Sequence, residues 1–317
     1  MRGASLLVDT ECEIALVVCT RDRGMAISSW LRHLATLRYN GRWELIVVDN
    51  GCSDETSKHL EEFGQHFRER LTMIRVSKPG LGRARNAGWR ATRAPLIAFT
   101  DDDCYPANDY LSRIQSAFTD STLGFVGGRV LLYDESDAPV TIRTVMEDQY
   151  AEAGDFIPAG WIHGANMAFR REVLVRIDGF DELLGAGTPF PCEDVDAMLR
   201  ALASGWRGKY DFRPVVFHHH GRKPKTERLN QLLKSYAFAR GSYHMKCLLQ
   251  MPQRRQCMLH WTRSLRRQSR RTIFYEIVAA LLYLVHLSCK RLSISSPGQL
   301  SRSSEKRSFF SHTTREM

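Results

Sequence analysis

The chain has 317 residues, 43% of them hydrophobic and 25% charged, an ordinary globular composition with enough length for one large domain and a real core. Its net charge of +10 is unevenly divided: residues 1–200 hold 22 Lys or Arg and 30 Asp or Glu, whereas residues 201–317 hold 23 and 5, a net +18. The C-terminal part is therefore expected to meet anions, and nucleic acid, anionic lipid and phosphorylated acceptors are all candidates at this point.

The eight cysteines are scattered and form no C-x-x-C pair. That usage suits a reducing cytosol better than a disulfide framework. Residues 1–10 lack a basic start followed by an apolar run, so no signal peptide is expected.

Short apolar, β-branched runs alternate with helical patterns over the first 133 residues. Strands are predicted at 13–20, 43–50, 71–78, 95–102 and 125–133, and helices at 25–38, 54–68, 83–93 and 108–119. Such alternation is typical of an α/β fold with a Rossmann-like, doubly wound and mostly parallel sheet. Ligands of these sheets bind beyond the carboxyl ends of the strands, which is where 20–23, 49–53 and 101–103 fall.

The rest of the chain is less regular. Residues 134–160 have no clear period and are interpreted as a long loop or lid. Further elements are predicted as a strand at 161–171, a helix from about Glu193, a strand at 213–220 and an amphipathic helix at 228–249. Residues 292–317, rich in Ser and Arg, are predicted to be disordered.

The stretch "GLGRAR" at 80–85 follows a strand and opens a helix, as a dinucleotide-binding motif does. However, Arg85 stands where the third glycine is needed, and the motif lies in the third βα unit rather than the first. NAD binding is therefore rejected.

Three consecutive carboxylates, Asp101, Asp102 and Asp103, follow the apolar run "IAFT". A solvated acidic turn is the simplest explanation, but their place at a strand end favours a functional site. Strand alternation brings Asp101 and Asp103 to one side, where two carboxylates suit Mg²⁺ or Mn²⁺ that also bridges substrate phosphates.

A second acid pair, Glu193 and Asp194, opens a helix within "PCEDVDAML". Favourable pairing with the helix dipole explains either residue alone, while a second acid site far from the first in sequence favours a function. In "FHHHG" at 217–221, alternation puts His218 and His220 on one face, so either could complete a metal shell or be structural.

Taken together, these stretches resemble the family 2 inverting glycosyltransferases with the GT-A fold. The resemblance spans roughly residues 13–220. Its motifs are "CTRDR", "VVDNGCSDET", "GLGRARNAG", "FTDDD", "GANMAFRR", "DGFDE" and "CEDVDAMLR", in the family's order and spacing. One departure is Cys19-Thr20-Arg21-Asp22, where the family often has a Pro–Thr–aromatic–Asn stretch after the first strand.

The resemblance implies a role for each matching residue. The nucleotide-sugar site is expected at Thr20, Arg23, Asp49, Arg85, Asn86, Asp101, Asp102, Gly164 and Asn166. Asp103 is the first expected metal ligand, with Asp101 beside it. Asp194 is the expected catalytic base, and Glu193 is assigned to acceptor positioning.

The implied activity is metal-dependent transfer of a sugar, with inversion, from a nucleotide-sugar to a hydroxyl of a glycan or lipid-linked glycan in cell-surface polysaccharide synthesis. A UDP-sugar donor and Mn²⁺ or Mg²⁺ are expected. A nucleotidyltransferase of similar α/β fold and a basic nucleic-acid-binding protein remain as alternatives. The second acid pair favours sugar transfer, and the basic region lacks a nucleic-acid-binding motif, so no nucleic acid is expected.

The C-terminal region carries arginines at helical spacing, followed by the apolar stretch "IFYEIVAALLYLVHLSC" at 273–289. The arginines, at 263, 266, 267, 270 and 271, are predicted to share one helix face. A basic face beside a short apolar helix suits a segment lying in the plane of an anionic membrane. A helix docked on the catalytic body, with Glu276, Ala280, Tyr283 and His286 on a common stripe, is one alternative, and a short transmembrane helix is another, less favoured because 17 residues fall short of the usual span of about 20.

Three regions are therefore expected: a GT-A catalytic domain at 11–222, a basic helical extension at 223–291 that associates with the membrane, and the tail at 292–317. The expected location is cytoplasmic, peripheral on the cytoplasmic face of the membrane.

Overall fold

The computed structural model describes residues 12–64 and 70–294, which form one sheet flanked by helices. The strands there are β1 (Ile14–Thr20), β2 (Trp43–Asp49), β3 (Leu71–Arg75), β4 (Leu96–Asp101), β5 (Cys104–Pro106), β6 (Leu123–Leu132), β7 (Gln149–Ala151), β8 (Met167–Arg170) and β9 (Arg207–His218). The helices are α1 (Ala26–Leu34), α2 (Thr56–Gly64), α3 (Leu81–Arg90), α4 (Tyr110–Ala117), α5 (Arg171–Arg176), α6 (Glu193–Ala203), α7 (Glu227–Gln250), α8 (Arg254–Leu265) and α9 (Arg270–Ile294).

The strands follow the order β3-β2-β1-β4-β8-β6-β9-β5, and β7 also pairs with β9. The first four strands in this order are parallel, β8 runs antiparallel to both of its neighbours, and β6 and β9 are parallel again. The predicted α/β sheet with mostly parallel strands is confirmed, as is the helical region that follows it.

Successive side chains of β1 enter two different cores, one on each face of the sheet. Leu16 and Val18 lie in one core with Trp30, while Ala15 and Val17 lie in the core on the opposite face of the sheet. A strand buried on both faces needs the near-continuous apolar run that the sequence shows.

Four elements were not predicted: β5, β7, α5 and α8. In addition, the strand predicted at 213–220 begins six residues earlier, at Arg207, and the strand predicted at 161–171 is ordered as a strand only at Met167–Arg170. The first half of β9 was missed because it buries charge: Lys209 Nζ lies 2.9 Å from Asp211 Oδ2, and both side chains are inaccessible. Because both members of the buried ion pair are charged, the sequence of this interior strand resembles that of a polar loop.

Residues 134–160 form the predicted long loop, apart from β7. Its backbone is fixed to the sheet and to α7: the Tyr210 hydroxyl donates to the Val145 carbonyl over 2.8 Å, and the Tyr243 hydroxyl to the Ile157 carbonyl over 2.6 Å. The hydroxyls of Thr141 and Tyr236 also form a hydrogen bond between this loop and α7. The loop is therefore held in place at several points, and movement as a lid stays a prediction.

The C-terminal helices pack against the sheet and its flanking helices. Tyr243 of α7, Cys257 of α8 and Tyr283 of α9 belong to the same apolar core as Phe99 of β4. Helices α7 and α9 approach so closely that a side chain at Gly241 would collide with the backbone of Glu276.

The prediction of one arginine face is wrong. Helix α8 ends at Leu265 and α9 begins at Arg270, so the arginines at 263, 266, 267, 270 and 271 are divided between two helices and a turn, although all five are exposed. The break has a local cause: the Ser269 hydroxyl accepts the Thr272 N–H over 3.2 Å, as a residue at a helix N-terminus does.

Helix α9 has two unlike faces. Glu276, Ala280 and Tyr283 are buried, as the docked-helix alternative predicts, but His286 of the same predicted stripe is exposed, although its ring lies 5.8 Å from that of Phe190. The outer face exposes Phe274, Ile277, Leu281, Leu282, Leu284 and Val285. The segment Arg270–Cys289 has a mean hydropathy of 1.7, so by length and composition alone this helix could cross a membrane.

The predicted disordered tail starts too early, because residues 292–294 are helical. Residues 295–317, like residues 1–10, lie outside the described part of the chain.

Candidate active site

The carboxyl ends of three neighbouring strands bring the predicted site loops together. Thr20 at the end of β1 lies in register with Asp49 of β2, and Cys19 with Asp101 of β4. Residues that follow these strands therefore meet at one edge of the sheet, as the doubly wound topology requires.

Each of the three consecutive carboxylates lies near an arginine, Arg23 or Arg85. Arg23 Nη2 lies 2.5 Å from Asp102 Oδ1 and 2.9 Å from Asp103 Oδ2, so one guanidinium joins two of them. Burial acts to raise the pKa of Asp103, but His218 and Arg23 outweigh it and hold that pKa well below its usual range. Burial prevails at Asp101 and Asp102 and raises the pKa of each.

The acidic turn suits a divalent cation. His218 Nε2 lies 3.3 Å from Asp103 Oδ1, and the buried Nδ1 of the same ring has no hydrogen-bond partner among the described residues. Carboxylate oxygen with imidazole nitrogen is a donor set that Mn²⁺ accepts. Cys104 is adjacent, but burial raises the pKa of its thiol well above the usual range, which disfavours a thiolate ligand.

His220 is placed differently from His218, although the two rings lie 4.9 Å apart on the face that alternation predicts. Its Nε2 lies 3.1 Å from the Ala138 carbonyl oxygen, and its Nδ1 accepts the Arg222 N–H over 3.0 Å. Both ring nitrogens are thus engaged away from Asp101, Asp102 and Asp103, and the carboxylate near His220 is that of Asp137, 3.7 Å from Nδ1. His218 is the histidine that the geometry supports as a ligand.

Arg85 links the two acid sites. Its Nη1 lies 2.5 Å from Glu193 Oε1 and its Nη2 3.5 Å from Asp101 Oδ1, while Nη2 also donates to the Gly164 carbonyl oxygen over 3.3 Å. Burial raises the pKa of Glu193 to about 7, although the Arg85 charge opposes the rise. Arg85 therefore acts within the described chain as a buried cation between carboxylates.

Asp194 is held by backbone groups. Its Oδ2 accepts the Gly164 N–H over 2.9 Å, and its Oδ1 accepts the Val195 N–H over 2.7 Å. Gly164 thus contacts Arg85 through its carbonyl and Asp194 through its N–H. The carboxylate is partly exposed and lies at the first turn of α6.

Two adjoining cavities open beside these residues. The one that contains the carboxylates of 101–103, Thr20, Arg23 and His218 has a volume of about 470 Å³. The other, of about 280 Å³, contains Glu193 and Asp194. Six residues line both cavities and form the boundary between them: Leu81, Asp101, Thr141, Ala186, Pro191 and Tyr236. The arrangement suits two substrates that meet at this boundary.

Four expected site residues line neither cavity: His220, described above, and three residues of the expected nucleotide-sugar site. The Asn86 amide donates to the Phe180 carbonyl and accepts its N–H, each over 2.8 Å. The Asn166 amide donates to the carbonyls of Arg129 and Pro214. Asp49 accepts the Cys52 N–H over 2.7 Å and the Ser57 hydroxyl over 2.7 Å. Here these side chains brace the loops that carry the site.

Sequence reasoning missed several residues of the cavity walls. Asn50 and Arg222 line the first cavity, Arg240 and His163 the second, and Tyr236 both. Burial lowers the pKa of His163 to about 4, so its ring is neutral near pH 7. Arg222 could have been found from its place just beyond a strand end; the α7 residues carry no local signal.

The fold and the two linked acid sites define the class, a glycosyltransferase with the GT-A fold. The chain belongs to glycosyl transferase family 2, whose family model matches residues 16–177, 162 of the 317 residues.

Among curated relatives, the chain is 26% identical over 216 residues to the pre-mycofactocin glycosyltransferase of Mycobacterium tuberculosis, a match that covers 66% of this chain and 43% of the relative. It is 23% identical over 215 residues to the beta-monoglucosyldiacylglycerol synthase of Trichormus variabilis, covering 64% of this chain and 44% of the relative. The chain thus matches less than half of the length of either relative.

Among solved structures, the mannosyltransferase PcManGT from Pyrobaculum calidifontis, in complex with GDP-Man and Mn²⁺, superposes with a TM-score of 0.63 at 19% identity, covering 90% of this chain and 81% of that one. TarS 1–349 of S. aureus, in complex with UDP-GlcNAc, gives a TM-score of 0.51 at 16% identity, covering 72% and 66%. These likenesses support the fold.

Proposed function

We propose that the protein is a metal-dependent, inverting glycosyltransferase that moves a sugar from a nucleotide-sugar to a hydroxyl of a glycan or lipid-linked glycan. The observation that carries the proposal is the position of Arg85, which contacts Asp101 of the first acid site and Glu193 of the second. Two acid sites held by one cation, in adjoining cavities, suit a donor that bears a metal-bound diphosphate and an acceptor that needs a base.

The first cavity is assigned to the donor. Thr20 and Asn50 would face the nucleoside, and Arg222, which has no ion-pair partner among the described residues, would face the diphosphate. Asp103, His218 and Asp101 would hold Mn²⁺ or Mg²⁺, which when bound neutralises charge on the leaving diphosphate. The two solved structures contain GDP-Man with Mn²⁺ and UDP-GlcNAc, so a nucleotide-sugar suits this fold, and UDP remains our first choice.

The second cavity is assigned to the acceptor. Asp194 accepts the proton of the acceptor hydroxyl while that oxygen attacks the anomeric carbon. The new carbon–oxygen bond forms as the bond to the diphosphate oxygen breaks, and the nucleoside diphosphate leaves with that electron pair. A single displacement inverts the anomeric carbon, and no covalent enzyme intermediate is needed.

Glu193 is assigned to positioning. Its Oε1 is engaged by Arg85 and its side chain is almost fully buried, so an acceptor hydroxyl has less access to it than to the partly exposed Asp194, even though burial raises its pKa. The hydrogen bond from the Gly164 N–H orients Asp194 towards the second cavity, and orientation supplies part of what a carboxylate lacks in basicity.

We also place the enzyme on the cytoplasmic face of a membrane, with the outer face of α9 against the lipid. Exposed apolar side chains on that face, Phe274 at 62% and Val285 at 59% among them, and the exposed arginines of 263–271 support this placement. The division into a catalytic domain at 11–222, a membrane-associated extension at 223–291 and a tail from 292 remains part of this proposal.

Of the alternatives, nucleotidyl transfer is set aside because the chain is a family 2 glycosyltransferase. Nucleic-acid binding has only the basic C-terminal half in its favour, and there the arginines adjoin an apolar surface.

Incubating the full chain with a panel of UDP- and GDP-sugars, Mn²⁺ or Mg²⁺, and glycan and lipid-linked acceptors tests the proposal. Mass spectrometry should detect a glycosylated product, NMR should show an inverted anomeric centre, and EDTA should abolish both. A retained anomeric configuration, or full activity in EDTA, would contradict the mechanism.

A further inference from the structure

The wall of the second cavity, which contains Asp194, includes a second arginine, Arg240 of α7. Its guanidinium is half-buried, and its Nε donates to Glu276 Oε1 over 2.6 Å. Glu276, on α9, is fully buried and also accepts the Trp261 indole N–H over 3.0 Å through Oε2. Each oxygen of the Glu276 carboxylate therefore has a donor.

This contact uses only one of the five N–H donors of Arg240. Among the described residues, its two terminal nitrogens make no hydrogen bond. Arg85, the other arginine in this cavity, is already shared between Glu193, Asp101 and the Gly164 carbonyl. Arg240 is thus the cation on the acceptor side that keeps donors available.

We infer that Arg240 binds a phosphate group of the acceptor, so that the enzyme glycosylates a phosphate-bearing acceptor, and this inference rests on the proposed function. The planar guanidinium, fixed by Glu276 at Nε, presents its terminal nitrogens as a pair that matches two phosphate oxygens. A phosphate there would lie in the cavity that holds Asp194, and the small apolar side chains Ala159, Val195 and Ala239 leave room for the rest of the molecule.

The same chemistry has two sources, a water-soluble sugar phosphate and a lipid-linked phosphate. Glu276, the partner of Arg240, lies on α9, whose outer face is apolar and exposed. Binding by Arg240, however, requires only the phosphate group. Separate arms of one experiment identify the source.

Binding is measured by calorimetry on the full chain, with UDP and Mg²⁺ saturating the donor side. The probes are inorganic phosphate, glucose 6-phosphate with methyl glucoside as its neutral counterpart, and farnesyl phosphate with farnesol, the last two in detergent. Wild type should bind at least one phosphate-bearing probe more tightly than its neutral counterpart. R240Q should weaken that binding about 10-fold or more, because a charge-assisted hydrogen bond is lost, and leave the neutral probes unchanged.

Two further variants separate recognition from a merely structural ion pair. E276Q removes the charge of the ion pair but keeps the cation and an amide oxygen that can accept from Arg240 Nε, so it should share the loss in Tm and keep most of the phosphate affinity. R228Q removes an exposed arginine of the same helix and should change neither. If R240Q does not fold, R240K keeps a charge for Glu276 without the planar fork and should weaken phosphate binding several-fold.

The inference is overturned if wild type prefers no phosphate-bearing probe, if R240Q and E276Q lose phosphate affinity equally, or if R240K, used because R240Q does not fold, retains it in full. Hydrolysis of the nucleotide-sugar by the same wild-type preparation reports on the proposed function independently. Preference for glucose 6-phosphate assigns a soluble acceptor, and preference for farnesyl phosphate a lipid-linked one.

Discussion

Arg85 Nη1 lies 2.5 Å from Glu193 Oε1, and both side chains are almost fully buried. Arg85 comes from α3 and Glu193 from the first turn of α6, 108 residues later. The contact therefore joins the two halves of the site and fixes the start of the helix that carries Asp194.

Replacing Arg85 with Gln should lower the free energy of unfolding by about 3–5 kcal/mol, because it leaves a buried carboxylate without its cation. Urea unfolding followed by circular dichroism measures this. The matched control is R90Q on the same helix, whose partner Asp178 is almost fully exposed, and a change within about 0.5 kcal/mol is expected there. If R85Q and R90Q lose the same free energy of unfolding, the buried ion pair stabilises the fold no more than the exposed one does.

D194N keeps size and shape but cannot accept the acceptor's proton. Turnover should fall about 10²–10⁴-fold, while affinity for the nucleotide-sugar and the metal stays nearly unchanged. E193Q should lose less turnover. Steady-state kinetics measure turnover, and donor binding is measured separately. If E193Q loses more turnover than D194N, the assignment of base and positioning residue is reversed. If both variants keep normal turnover, the proposed mechanism is wrong.

The pKa of Glu193 gives a pH dependence of stability with a definite sign. It rises from 4.5 to about 7 in the folded protein, chiefly through burial, so the folded state holds this proton more tightly than the unfolded state. The stability from this group is fully present below the unfolded value and is lost as pH rises through the folded value, with a slope of at most about 1.4 kcal/mol per pH unit. Between about pH 5 and about pH 8, wild type should thus lose stability relative to E193Q. Parallel stability curves would contradict the shift.

D103A should abolish metal-dependent binding of the donor, since Asp103 contacts both His218 and Arg23 at the acidic turn. Calorimetry with a nucleotide-sugar, with and without Mn²⁺, measures the loss. D109A, an exposed aspartate at the start of α4, serves as the control and should bind as wild type does. Unchanged metal-dependent affinity in D103A would remove Asp103 from the metal site.

Serine at Phe274, Leu281 and Val285 together should weaken binding to anionic liposomes at least about tenfold, because exposed apolar area would no longer enter the lipid. Stability should change little, since the buried face with Tyr283 is untouched. Flotation with vesicles of phosphatidylglycerol measures the effect, and V175S, a 61% exposed position on α5, is the control. Equal flotation of the triple variant and wild type would remove α9 from the membrane proposal.

The interior strands could be predicted because burial on both faces demands apolar runs that stand out in the sequence. Along β9 the same burial is achieved with Lys209 and Asp211 facing each other, so the local pattern reads as polar. Recognising that strand requires knowing which charges pair, and the pairing is visible only in three dimensions.

The acid sites were accessible to sequence reasoning because Asp101–Asp103 and Glu193-Asp194 lie at element ends with a motif around them. Side-chain direction was not. His220 shares a face with His218, yet its nitrogens bind Ala138 and Arg222. Tyr236 and Arg240 reach the cavities because α7 docks there, which depends on contacts between distant segments.

The lack of a side chain at Gly164 allows Arg85 and Asp194 to approach the same backbone segment. A Cβ on this residue would lie 2.8 Å from Arg85 Nη2 and 3.0 Å from Asp194 Oδ2, so any side chain would push these two groups apart. New acceptor preferences must then arise on walls that Gly164 does not touch, such as those formed by Ala159, Pro191 and Ala239. Library design for altered acceptor range should randomise those walls and leave the glycine and its two neighbours in space intact.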